Sequence, residues 1–360
     1  MNSPAAAHGA REMGGTAPDG ALPAAPHSPD SRDGQVYIMP SDVALAVEVA
    51  LATGRPLLLR GEPGSGKSSL AAYVARERGW RYYEHVVTSR SKADDLLWTY
   101  DHVRRLSDAQ VREPGTDLDD QRYVTPGPLW WAFDPVSARG GQGGRPLRPD
   151  AFAEVNAERP EPHAVVLVDE IDKADPDLPN SLLVPLGSHR FTVTETGETV
   201  RKRVSAEDPE ARNPEDRNPE NEEPEDEEPE ADEEPEGGPL RHLVIITTNE
   251  ERELPQAFLR RCVIASLPEP DAARLVEIAE AHFRSDYQEF GPADEELARE
   301  LAEEIEQARA EARALAIRPP STAEFLDALR ACRALGIGVA DDRWPLLKSL
   351  TLLKPQQPGG

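Results

Sequence analysis

Three short stretches carry residue types that could act together on a phosphate chain. "GEPGSGKS" (61–68) matches the pattern G-x-x-x-x-G-K-[ST]. Glycines at 61, 64 and 66 let the backbone turn its N–H groups inward, and with a following helix they form a nest for phosphate oxygens. Lys67 would set a cation on the outer phosphates, and the Ser68 hydroxyl is a ligand for Mg2+. The residues expected to wrap the nucleotide are Gly61, Glu62, Pro63, Gly64, Ser65, Gly66, Lys67, Ser68 and Ser69. "VVLVDEID" (165–172) is an apolar run that delivers Asp169 and Glu170 at its end. Asp169 is placed to hold the metal through water, and Glu170 to polarise a water toward the terminal phosphate. A second carboxylate beside the metal ligand points to hydrolysis rather than to transfer onto a substrate hydroxyl. "VIITTNEERELPQAFLRRC" (244–262) passes from an apolar run to Asn249 and then to the pair Arg260–Arg261. Asn249 either hydrogen-bonds the attacking water or the γ-phosphate, or simply ends a strand in a turn.

Specific elements must position these groups. "PLLLRG" (56–61) reads as a short buried strand and "SSLAAYVARERG" (68–79) as the helix after it, so the glycine loop lies between strand and helix as the chemistry requires. "SDVALAVEVALATG" (41–54) reads as a helix that Ser41 or Asp42 caps and Gly54 ends. "RYYEHVVTS" (81–89), "AVVLVDEID" (164–172) and "HLVIITTN" (242–249) read as strands, the last two apolar enough for parallel strands covered on both faces. The carboxyl edge of such a sheet is where ligands bind. Eighty positions separate Asp169 from Asn249; without residues 205–238 the remainder suits a strand–helix–strand unit with a hairpin. Residues 115–163 read as irregular. Within them "GPLWWAF" (127–133) either exposes Trp130 and Trp131 to a partner or buries them.

Beyond Pro270 the pattern becomes helical. Leu275, Ile278, Ala279 and Phe283 fall at helical spacing, as do Leu297, Leu301, Ile305, Ala308, Ala312 and Leu315. "STAE" (321–324) is a capping-box pattern that opens a third helix through Phe325, Leu329, Cys332 and Leu335. The fold class is α/β: a parallel sheet flanked by helices around a phosphate-binding loop, followed by a smaller all-α lid. The expected division is a disordered tail at 1–33, a nucleotide-binding domain at 34–268 with an insert at about 112–163, a helical lid at 269–354 and a tail at 355–360.

Composition excludes several classes. The 360 residues carry a net charge of −27, against a basic surface for nucleic acid or anionic membranes. Residues 205–238 hold 17 acidic residues and two arginines, more than half of that charge, with repeated Pro-Glu steps. They read as a disordered, self-repelling loop whose long span costs the fold little closure entropy. The two cysteines have no metal or redox spacing, and no apolar run suits a signal sequence or a membrane span, so a cytoplasmic setting is expected.

With these motifs in hand, the chain resembles the AAA+ ATPases and, within them, the MoxR branch. The resemblance spans about 36–354 and rests on "RPLLLRGEPGSGKSSLA" (55–71), "VVLVDEIDKADPDLPNSLL" (165–183), "TTNEERELPQAFLRRC" (247–262) and "RPPSTAEFLDAL" (318–329). It implies ATP and Mg2+ as the nucleotide and metal. It also implies Asn249 as the sensor-1 residue and Arg261 as an arginine finger acting in trans on the neighbouring subunit. Arg318 becomes the best sensor-2 candidate, with Arg330 and Arg333 as rivals. The implied assembly is a ring, with about six subunits. The implied partner is a client or adaptor protein, for which a von Willebrand A-type domain is the family association. The expected function is therefore ATP hydrolysis coupled to remodelling of client complexes. The alternatives are a nucleotide-gated binding switch and a nucleic-acid remodelling or restriction-type NTPase. The acidity disfavours the latter.

Overall fold

The computed structural model describes residues 34–111, 118–140, 147–159, 163–203, 241–315 and 317–352. The expected tails at 1–33 and 355–360 and the acidic segment 205–238 lie outside the described residues. Five parallel strands form the central sheet: β1 (Leu57–Arg60), β2 (Arg81–Val86), β5 (Ala164–Asp169), β8 (His242–Thr248) and β9 (Val263–Ser266), in the spatial order β2-β5-β8-β1-β9. Strand β8 pairs Ile245 with Leu57 on one side and with Leu167 on the other. Strand β1, which leads into the glycine loop, and the acidic strand β5 therefore flank it. Strand β9 is the element the apolar pattern misses. It is only four residues long and half-buried in alternation, so it lacks the continuous run that marks β5 and β8.

Alternation within the buried strands sends side chains to two cores. Val165, Leu167, Leu243 and Ile245 pack with α1 (Ser41–Thr53) and α2 (Lys67–Glu77). Val166, Val168, Val244 and Ile246 pack on the opposite face with the aromatic segment Trp130–Phe133. Trp130 and Trp131 are 0% and 1% exposed, so they are core residues and not a partner surface. Trp130 also donates its indole N–H to Ser137 Oγ at 2.8 Å. Segment 118–140, expected as irregular, is short but ordered. A 3-10 turn (Asp120–Tyr123) precedes β4 (Val124–Pro126), which pairs antiparallel with β3 (Trp98–Tyr100). Helices α5 (Pro128–Phe133) and α6 (Pro135–Arg139) follow, each opened by a proline that the first helical position tolerates. Between β2 and β4 the chain also forms α3 (Ala93–Leu97) and α4 (His102–Val111).

From β5 to β8 the chain runs through α7 (Asp177–Ser188) and the antiparallel hairpin β6 (Arg190–Thr192) and β7 (Thr199–Arg201), the helix-plus-hairpin that the spacing anticipates. Helix α1 differs from expectation at its start. Its N-cap is Pro40 with no side-chain cap bond, while Gly54 ends it at φ 64 as expected.

After α8 (Gln256–Leu259) and β9 the chain enters the helical lid: α9 (Ala272–Tyr287), α10 (Pro292–Leu315), α11 (Thr322–Leu335) and α12 (Trp344–Thr351). Leu275, Phe283, Leu301, Ile305, Phe325 and Leu329 share its core. Leu315, expected on the buried stripe of α10, is exposed because the helix ends there. Both halves of the capping box at Ser321 and Glu324 are present. Both thiols are buried and free; burial pushes Cys262 up to about 12 and Cys332 up to about 11. Among the described residues no helix is long and apolar enough to cross a membrane.

Candidate functional site

The sheet order determines the site. The loop after β1, the acids after β5 and the asparagine after β8 leave adjacent strands at the same carboxyl edge. The glycine loop turns through φ 153 at Gly61, 79 at Gly64 and 92 at Gly66. Gly64 needs its missing side chain for a second reason. A Cβ there would sit 2.5 Å from Ser321 Cβ, at the start of lid helix α11.

Ser68 Oγ donates to Asp169 Oδ1 at 2.7 Å, across 101 positions of sequence. The same carboxylate oxygen accepts from Thr247 Oγ1 at 2.6 Å, and Thr247 Oγ1 in turn accepts the Glu170 N–H at 2.8 Å. Thr247 therefore touches both acids from the neighbouring strand. Glu170 sits at φ 60, a left-handed conformation uncommon for a non-glycine residue. Its Oε1 accepts from Asn249 Nδ2 at 3.4 Å and its Oε2 from Lys173 Nζ at 2.6 Å. Asn249 thus faces the acid, which the reading of a plain strand-ending turn did not require.

Lys67 is buried, and its ammonium donates to Gly61 O and Glu62 O, both at 2.8 Å. Burial lowers its pKa, and the carboxylates led by Asp169 and Asp172 oppose that shift by favouring the cation. Lys173 moves the other way: its hydrogen bond to Glu170 raises its pKa.

A cavity of about 800 Å³ adjoins the loop, within the range of small-molecule sites. Segment 34–41, Gly64–Gly66 and helices α9 and α11 wall it. Tyr37 rises over Gly66, where a Cβ would meet its ring at 3.3 Å. Burial raises the Tyr37 phenol pKa. Arg274 of α9 reaches across to donate to Ile38 O at 3.2 Å, tying the lid to that segment. Arg330 also lines the cavity and donates to Asp286 at 3.1 Å.

These residues fit a nucleotide and a hard cation. Ser65 Oγ, inside the loop, and Thr322 Oγ1, on the cavity wall, are buried with no hydrogen-bond partner among the described residues, as hydroxyls awaiting a ligand would be. Ser68 Oγ and Asp169 Oδ1, side by side, are hard oxygen donors of the kind that suits Mg2+.

Of the residues singled out in the sequence, the structure joins Lys67, Ser68, Asp169, Glu170 and Asn249 into one contact network or charge field. Glu62, Pro63 and Ser69 lie along the same loop and helix start. Arg261 stands apart at the end of α8, exposed, with its guanidinium on Ala257 O at 3.2 Å. Arg318 is exposed on the connection between α10 and α11 and is not part of the cavity wall; of its two rivals, Arg330 lines the cavity. Arg333 lies over the Phe283 and Tyr287 rings. Sequence reasoning passed over Thr247, Asp172, Lys173, Tyr37 and Arg274. The third acid of "DEID" and the paired threonines before Asn249 were visible, but nothing local distinguishes a buried clamp from a solvated strand end.

The family model for the AAA domain (dynein-related subfamily) matches residues 56–262, more than half of the chain. No curated protein sequence matches it. Among solved structures, one from Cytophaga hutchinsonii, ascribed to an ATPase, is 14% identical, with 89% of this chain and 83% of that chain covered and a TM-score of 0.37.

Proposed function

The chain belongs to the AAA domain family, dynein-related subfamily, and on that premise we propose that it binds ATP with Mg2+ at the 61–69 loop and hydrolyses its terminal phosphoanhydride. The observation that carries this reading is the 2.7 Å contact of Ser68 Oγ with Asp169 Oδ1 beside a second acid that faces Asn249. A switch that only binds nucleotide would not need Glu170 and Asn249 aimed together. Magnesium, when bound, would offset charge on the phosphate oxygens.

In this reading the loop N–H groups and Lys67 hold the phosphates, and Ser68 and Asp169 hold the metal. Glu170 takes a proton from the attacking water, and Asn249 orients that water or the γ-phosphate. Lys173 holds Glu170 through Oε2, which leaves Oε1, the oxygen that faces Asn249, to accept the proton. We assign the trans role to Arg261, whose exposure suits a guanidinium offered to a neighbouring subunit. The finer assignment is a MoxR-type ATPase, a ring of about six subunits that remodels a client or adaptor protein, with a von Willebrand A-type domain as the candidate partner class. The division into a nucleotide-binding unit at 34–268 and a lid at 269–354 belongs to the same proposal.

Glu170→Gln tests it. The variant is expected to bind ATP and to turn over at most about one-hundredth as fast, the scale of lost general-base catalysis. Turnover near that of the wild type removes Glu170 from its role.

A further inference from the structure

We propose that Asp172 is a positioning residue for hydrolysis: it fastens the turn that carries Asn249 to the turn that carries Glu170. The proposal rests on the ATP-hydrolysis reading above and adds to it a residue that the reading does not use.

Asp172 lies in the 3-10 turn Ile171–Lys173, directly after Glu170, and is 2% exposed. A buried carboxylate needs compensating partners, because desolvation penalises the charge. Its Oδ2 accepts two backbone N–H groups, from Asn249 at 3.2 Å and from Glu251 at 2.9 Å. Between those donors sits Glu250, a non-glycine residue at φ 58. A left-handed residue persists where its surroundings over-determine it, and Asp172 holds the residues on both sides. The other oxygen, Oδ1, is buried with no partner among the described residues. The Asp172 charge also reaches Lys67, where it favours the ammonium.

Further bonds join the same two segments. Thr247 Oγ1 binds the Glu170 N–H and the Asp169 carboxylate, and Arg252 donates to Ala174 O at 3.3 Å. Of these groups, Asp172 grips the backbone of Asn249 itself. The Asn249 Nδ2 to Glu170 Oε1 distance is 3.4 Å, at the long end of a hydrogen bond, where a small backbone shift loses the contact. Asp172 therefore acts through Asn249 and not on the nucleotide.

The test measures ATP turnover and nucleotide affinity for full-length Asp172→Ala, Asp172→Asn, Asn249→Ala and the double variants. Asp172→Ala is expected to lower kcat about tenfold, the scale of a hydrogen bond to a charged group, with KM and ATP affinity within about threefold of the wild type. Asp172→Asn keeps an oxygen acceptor at the same place and is expected to recover most of the rate. On the Asn249→Ala background either substitution is expected to cost nothing further, because its effect passes through Asn249. Should Asp172→Ala not fold, Asp172→Ser, whose shorter side chain stops short of the two N–H groups, carries the comparison: a fall in kcat that vanishes on the Asn249→Ala background supports the proposal, and an unchanged kcat overturns it. A loss confined to ATP affinity, or an equal further slowing of the Asn249→Ala variant, overturns it in favour of a general structural role. A wild-type chain that binds ATP without hydrolysing it overturns the functional reading first, and this proposal with it.

Discussion

Replacing Gly64 by alanine separates two demands that the glycine loop places on one residue. Gly64 sits at φ 79, where a side chain costs about 1–2 kcal/mol relative to glycine. Its new Cβ would also lie 2.5 Å from Ser321 Cβ and 2.9 Å from Ser321 Oγ. Carbon pairs rest near 3.5–4 Å, so the overlap is roughly 1 Å; rotating the Ser321 side chain would give up the cap of α11 and still leave its Cβ in place. Overpacking of this kind costs about 1–3 kcal/mol. Gly64→Ala should therefore lose about 2–5 kcal/mol, or displace the start of α11 from the loop and open the cavity that both line. Gly79 is the internal control. It has φ 64 and nothing within 4 Å of an added Cβ, so Gly79→Ala should lose only the backbone share. The decisive variant is Gly64→Ala combined with Ser321→Gly. The nearest Ser321 atom would then be its Cα at 3.8 Å, an ordinary contact, and glycine is a tolerable N-cap at a few tenths of a kcal/mol. Thermal midpoints and titration with a fluorescent ATP analogue report both effects. Ser321→Gly is expected to destabilise the wild type slightly, yet in Gly64→Ala to restore nucleotide affinity and the overpacking share of the stability, leaving only the backbone share lost. If it restores neither, contact between the loop and the lid is not what requires glycine at 64.

Other outcomes follow from the same geometry. Mixing Arg261→Ala subunits with Glu170→Gln subunits is expected to restore part of the ATPase rate, since each would supply what the other lacks; no recovery at any ratio rules out a shared site. His242 is buried edge-to-face against His189 at 4.7 Å and beside Lys202; burial, then those positive neighbours, hold its pKa well below the ordinary histidine value. The folded chain therefore refuses a proton that the unfolded chain accepts, so stability should fall as pH drops through about 6.5, and His242→Asn should flatten that fall between pH 7 and 5 in urea unfolding. Equal slopes for both proteins would mean that other groups govern the acid limb.

The strong local signals in this chain were those that need no partner to be recognised. The 61–68 loop between strand and helix, the buried run into Asp169–Glu170 and the Ser321 capping box are each complete within a few residues, because phosphate nests, parallel strands and helix starts impose local rules on residue type. Trp130 and Trp131 were ambiguous for the opposite reason: an aromatic pair on a Gly/Pro loop is apolar in either setting, and only the face of β5 and β8 packed above it makes it core. The sheet order was likewise a tertiary decision. It seats β8 between β1 and β5, and by doing so makes Thr247 a bridge between Ser68's partner Asp169 and Glu170. Nothing in "TTNEE" announces that role, nor does "DEID" announce that its last acid will hold a backbone turn 77 positions away. The sequence by itself determined which atoms are present to meet a nucleotide; the tertiary structure decided which of them touch, because hydrogen bonds reach about 3 Å and only strand pairing brings segments so distant in sequence within that range.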